Sequence, residues 1–287
     1  MKAVRNLLGN IIDYAGLFPP AALSMQEAVA KYYEYLMSEY RWLLSRFILP
    51  VSRFEEFEVA AAGYDAEFAV SAISDGNLDR DLQKIAEFNA RNFLKYSVEC
   101  LEVKTSDPTE VGQISAKAPE MMLTYVEIPF GSEEYLKQLA AFGRRAKIRT
   151  GGVTKENFPA AEFVVDFLVA SSKLNVAFKA TAGLHHPLRS SYPLTYALDS
   201  ERCLMHGFLN LFLAAIFAKD GLSRDELLML LLDEDAAHFS FSDEEISWCG
   251  HSVEAYRVAE LREKYCISFG SCSFEEPVND LKQLGLL

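Results

Sequence analysis

A single closed α/β barrel of the (β/α)8, TIM-type class is the fold this sequence predicts, on three observations. Eight stretches rich in β-branched and aromatic residues alternate with helix-like stretches. No internal repeat, low-complexity tract or Pro-, Gly- and Ser-rich linker divides the chain. Its 287 residues, 50% of them apolar, are a length at which single α/β barrels commonly occur. Residues 1–287 are therefore read as one barrel domain.

The first strand is read at Ile11–Leu17, and Ser24-Met25-Gln26-Glu27 then opens a helix as a capping box, with the serine satisfying a free helix amide. Strands two to five are read at Arg46–Val51, Glu67–Ile73, Val98–Lys104 and Met122–Phe130. The sixth and seventh, Ala146–Gly151 and Val176–Gly183, each carry a lysine and run out into glycine. There the regular spacing breaks, and a long, mostly helical stretch at about 188–264 precedes the eighth strand, Cys266–Ser271. This insertion is read as a lid or a homo-oligomer face. Ser223-Arg224-Asp225-Glu226, Ser242-Asp243-Glu244-Glu245 and Ser273-Phe274-Glu275-Glu276 predict three more helix starts.

Composition removes several classes of function. A net charge of −13 argues against nucleic acid, whose binding needs clustered Lys and Arg to release counterions. The longest apolar stretch, Phe208 to Ala218, is interrupted by Asn210 and falls short of the roughly 20 residues that cross a bilayer, so it reads as a core or interface helix and no membrane partner is expected. No signal-peptide pattern is visible, which gives a cytoplasmic expectation. The five cysteines are scattered, without a CxxC pair, and read as reduced thiols.

The chemistry concentrates on the two lysine strands. Side chains alternate between the faces of a strand, so Lys147 and Arg149 share one face, and Lys179 and Thr181 another. If the strands are neighbours, three cations crowd together, which disfavours the protonated lysine and favours an amine able to attack a carbonyl. Both segments end at the C-terminal rim of the barrel, where such folds carry their active sites, as does the turn containing Gly270, Ser271 and Ser273, whose amides could cradle an anion. Glu127 and Glu102 are the candidates for moving a proton; alternatively they merely neutralise the lysines in a buried ion network. Arg149 suits a substrate carboxylate through a bidentate contact, the alternative being a salt bridge to Glu127. His185, at the barrel mouth, would bind substrate or shuttle a proton, and Arg189 would hold an anion at the rim. Asp13 reads as a proton donor or a turn cap, and Asn210 as a satisfied core amide or a group reaching the site. Adjacent His185 and His186 point opposite ways in extended chain, and three protein ligands do not come together in the sequence, so neither metal nor other cofactor is expected.

These residues resemble the class I aldolase superfamily, and most of all deoxyribose-phosphate aldolase, over the half of the chain from about Val98. Lys147-Ile148-Arg149-Thr150-Gly151 is similar to that family's Lys-Thr-Ser-Thr-Gly, and Phe178-Lys179-Ala180-Thr181-Ala182-Gly183 to its Phe-Lys-Pro-Ala-Gly-Gly. Phe269-Gly270-Ser271-Cys272-Ser273, before a helix running to Gly285, resembles its Arg-Phe-Gly-Ala-Ser-Ser. The resemblance implies that Lys147 forms a Schiff base and that Lys179 lowers its pKa. It also implies a proton-relaying carboxylate on strand four, where this chain has Glu99 and Glu102 in a different register. Arg149 replaces a small polar residue, which points to a different substrate, and Glu275 and Glu276 compete with phosphate at the last helix. The segment Asp13 to Pro20, together with Gly183-Leu184-His185-His186-Pro187 and Gly207-Phe208-Leu209-Asn210, also resembles an uncharacterised bacterial family that names no reaction.

The expectation is thus an aldolase-like lyase acting through an imine on a small carbonyl substrate bearing a carboxylate or phosphate. One alternative keeps the site but stabilises an enolate or carboxylate by charge alone. Another is a catalytically silent barrel that binds a metabolite or partner through Met205–Phe217.

Overall fold

In the computed structural model, which describes residues 1–287, eight parallel strands close into a barrel. They are β1 (Ile12–Tyr14), β2 (Leu44–Pro50), β3 (Phe68–Ile73), β4 (Tyr96–Lys104), β5 (Leu123–Glu127), β6 (Arg145–Arg149) and β7 (Phe178–Thr181), with the circle completed between β7 and β1 by a late strand, Cys266–Ser271. Every expected strand is present, its ends moved by a residue or a few. Helix α1 (Lys2–Leu8) precedes β1. The strands are then followed in turn by α2 (Met25–Leu36), α3 (Phe54–Ala61), α4 (Leu78–Arg91), α5 (Glu110–Lys117), α6 (Glu133–Ala141), α7 (Ala161–Leu174) and α8 (Phe208–Lys219). Helix α8 is buried on all sides from Phe208 to Phe217, as a sequence apolar there except for Asn210 requires. It packs on α7 and the closing strand, with Phe208 stacked 4.9 Å from Phe269. No helix is long and apolar enough to cross a membrane.

The stretch at 188–264 is less helical than expected. Before α8 comes an antiparallel hairpin, β8 (Ser190–Pro193) with β9 (Arg202–Met205). After it come α9 (Arg224–Leu232), packed on α7 and α8, and a three-stranded antiparallel sheet of β10 (Phe239–Phe241), β11 (Glu245–Trp248) and β12 (His251–Glu254). Helix α10 (Ala255–Lys264) then packs on α1 and leads into β13, the closing strand Cys266–Ser271, which α11 (Glu275–Gln283) follows.

Capping chemistry explains the difference. Ser24 and Ser223 make complete capping boxes with Glu27 and Glu226. Ser242 instead accepts the amides of Glu244 and Glu245 in the turn joining β10 to β11, which is the other conformation a short hydroxyl side chain favours. Ser273 caps half a box: its hydroxyl takes the Glu276 amide, while the Glu276 carboxylate is engaged elsewhere.

Candidate active site

The barrel's register sets the site. Lys147 lies level with Glu127 of β5 on one side and Lys179 of β7 on the other, so both amines enter the lumen at one height. Lys179 is sealed there, 1% exposed, with Asp13 Oδ2 and Glu102 Oε1 each 2.6 Å from its Nζ. The Lys147 Nζ stands 2.7 Å from Glu102 Oε2 and 3.0 Å from Glu127 Oε2. Arg149, half-exposed at the mouth, places Nε 3.4 Å from Glu127 Oε1. Charges of opposite sign therefore alternate from rim to interior: Arg149, Glu127, Lys147, Glu102, Lys179, Asp13.

Second partners fix the inner acids. Ser71 donates to Glu102 Oε1 at 2.6 Å, and Ser268 donates to Asp13 Oδ2 at 2.6 Å. The Arg46 amide donates to Asp13 Oδ1 at 3.1 Å. Glu102 Oε2 has only the nearby charge of Lys147 and no directed hydrogen bond.

This interleaving corrects one expectation. The sequence suggests that crowded cations depress one another, but a carboxylate stands between each pair. Burial opposes the charge on Lys179, yet Asp13 and Glu102 outweigh it and hold the ammonium above the ordinary lysine range. Burial likewise opposes ionisation of Glu102, and Lys147 with Lys179 more than offset it, keeping the carboxyl well below its usual range. Glu127 is shifted downward by Lys147 and Arg149 against its own burial, and Asp13 by Lys179 and Arg46.

A cavity of about 250 Å³ opens above this chain of charges. Lys147 and Glu102 form part of its lining, whereas Lys179 lies behind them. Phe18, Ile48 and Ile73 supply apolar lining, and Arg149, Thr181 and His185 supply polar lining. Gly270 leaves room between Thr181 and Ile48, since a Cβ there would lie 3.1 Å from Thr181 Oγ1 and 3.2 Å from Ile48 Cδ1. The loops leaving β6 and β7 touch: a Cβ on Gly151 would stand 2.7 Å from the Gly183 Cα.

Lys147, Lys179, Glu102, Glu127, Arg149, Thr181, His185 and Gly270 thus gather at one end of the lumen. Ser271 and Ser273 do not border the cavity. Ser271 donates to Ser273 O, the Ser273 amide returns to Ser271 Oγ, and Glu276 occupies the helix start that an anion would use. Arg189 lies apart, paired with Glu234, its amide donating to Asn210 Oδ1. Asn210 is a satisfied core amide, for its Nδ2 donates to Leu230 O and Asp233 O. His185 and His186 do not diverge: they reach Glu276 (3.1 Å) and Asp280 (2.6 Å), one turn apart on α11.

Asp13 has a larger place here than a proton donor or turn cap, as the inner anchor of Lys179. Ser71 and Ser268 are additional; each is a small polar residue within an apolar strand, the only trace they leave in the sequence. Glu99 pairs with Arg46 at 3.0 Å, leaving Glu102 as the strand-four acid beside both amines. No protein-family model matches the chain, and no curated protein matches it.

Proposed function

We propose that this barrel is an imine-forming lyase in which Lys147 is the nucleophile for a small carbonyl substrate. The observation carrying this reading is that, of the two buried amines, Lys147 alone borders the cavity, with a carboxylate on each side to exchange protons. Glu127 accepts a proton from the Lys147 ammonium as substrate enters, and the free amine adds to the carbonyl carbon. The carbinolamine hydroxyl leaves as water with that proton, giving a cationic imine.

The imine nitrogen keeps its positive charge but carries one N–H where the ammonium had three, which leaves Glu102 Oε2, already without a directed donor, free to accept a proton. Glu102 then takes a proton from the substrate, from a hydroxyl as a C–C bond breaks or from the α-carbon. The released electron pair moves onto the imine nitrogen as an enamine. Lys179 stays charged throughout and positions Glu102. Arg149 holds a substrate carboxylate at the mouth. The cavity lies just below the roughly 300–1,000 Å³ of typical small-molecule pockets, which suits a substrate of few carbons.

A second reading is favoured by the same two ion pairs: an ammonium held between acids could stabilise an enolate by charge, without a covalent step. The test is to incubate the protein with small aldehydes and 2-oxo acids, reduce with borohydride and map adducts by mass. A reduced adduct on Lys147, with none on Lys179, is expected, and Lys147→Arg should abolish turnover. Turnover of a carbonyl without any Lys147 adduct, together with substantial activity in Lys147→Arg, would replace the imine by the charge clamp.

A further inference from the structure

Outside the lumen, one cluster joins three metal-ligating chemistries. Asp233 follows the last turn of α9, His238 precedes β10, and Cys249 occupies the turn between β11 and β12. One ligand atom from each lies within 4.8 Å of those of the other two. We propose that Asp233, His238 and Cys249 form a divalent-metal site of zinc type on the small sheet, independent of the barrel's chemistry.

The donor set selects the class of ion. Thiolate, imidazole and carboxylate are the three zinc ligands, whereas magnesium and calcium take oxygen alone. Zinc bonds of about 2.0–2.3 Å span ligand atoms up to roughly 4 Å apart, so small side-chain rotations would close the present arrangement on an ion. The ligands are also oriented in advance. The Asp233 carboxylate accepts the Trp248 indole N–H at 2.7 Å and the Asp235 amide at 3.0 Å. The imidazole of His238 has an acid at each nitrogen: Asp233 2.9 Å from Nδ1, and Asp235 3.9 Å from Nε2. With Nδ1, the nitrogen beside Asp233, on the ion, Nε2 faces the Asp235 carboxylate, the outer-shell arrangement of metal-bound histidines. The Cys249 amide donates to the His238 carbonyl at 3.3 Å, tying the thiol-bearing turn to the residue that carries the imidazole.

His238 and Cys249 are exposed, so the fourth position opens to water. Binding releases the thiol proton to solvent as the thiolate coordinates. The ion would clasp the end of α9 to the β11–β12 turn, and so fasten the small sheet to the barrel through Asp233, whose carbonyl is held by Asn210.

The test uses the full chain after chelation, titrated with Zn²⁺ against a chromophoric competitor and with Co²⁺ as a spectroscopic probe. One equivalent should bind, with a thiolate-to-cobalt charge-transfer band that disappears in Cys249→Ser and persists in Cys203→Ser. His238→Ala should weaken binding by about tenfold or more. Zn²⁺ should also protect Cys249, but not Cys203, from alkylation, a readout that needs no variant to fold. Absence of saturable binding, or an unchanged charge-transfer band in folded Cys249→Ser, would overturn the proposal and leave an ion-paired surface cluster.

Discussion

Replacing Lys179 by methionine keeps much of its volume and removes the single charge held between Asp13 and Glu102. Breaking a buried ion pair by deleting one partner typically costs about 3–5 kcal/mol, because the other charge is left in a dry site. Both orphaned acids keep some partners: Ser268 and the Arg46 amide for Asp13, Ser71 and Lys147 for Glu102. The lower end is therefore expected, about 3 kcal/mol near neutral pH. The pH dependence separates this cause from a packing defect. In the wild type the lowered acids stabilise fully above their unfolded values of 3.8 and 4.5, and that contribution is lost as pH falls through their lower folded values. The raised Lys179 stabilises fully below 10.5, losing its contribution only as pH rises through its higher folded value. In the variant, burial at Asp13 is opposed only by Arg46 and Ser268, so its carboxyl moves upward and the deficit should shrink as pH falls toward about 5. Urea unfolding followed by far-UV dichroism at both pH values measures the difference. A loss below about 1 kcal/mol at neutral pH, or one that does not narrow on acidification, would refute the reasoning.

Arg149→Ala should raise KM for carboxylate-bearing carbonyl compounds by about tenfold, the value of one charge-assisted contact at a half-exposed site, and leave uncharged aldehydes unaffected in steady-state kinetics. Asn210→Leu removes the acceptor of the Arg189 amide and the side-chain donor to the Asp233 carbonyl, and leaves Leu230 O with the Asp233 amide alone; urea unfolding should show a loss of about 2–3 kcal/mol.

The barrel was legible because each strand carries its own signal, an apolar β-branched run bounded by turn residues. The small sheet was not: Ser242 with Glu245 has the spacing of a capping box, and only the path of the chain decides whether that serine caps a helix or a hairpin turn. Lys147 and Lys179 stood out because a charge inside an apolar strand requires a partner. Which acid sits beside which amine depends on the stagger of the barrel, which a single strand does not reveal; so Asp13, distant in sequence from Lys179, went unmatched. The rim residues Arg189 and Ser273 lie off the cavity for a related reason. Loops at the mouth satisfy their own polar groups, as Ser271 and Ser273 do, before any ligand is considered.

The alternating charges have a direction along the polypeptide. Asp13, Glu102 and Glu127 all precede Lys147, Arg149 and Lys179. A nascent chain that has left the ribosome only through β5 holds three acids destined for a water-free lumen and none of the amines that face them there. Closing half a barrel at that moment would strand those anions, a cost that disfavours burying the early strands before β6 and β7 emerge. Pairing of the site's charges and closure of the cylinder are thereby coupled in free energy.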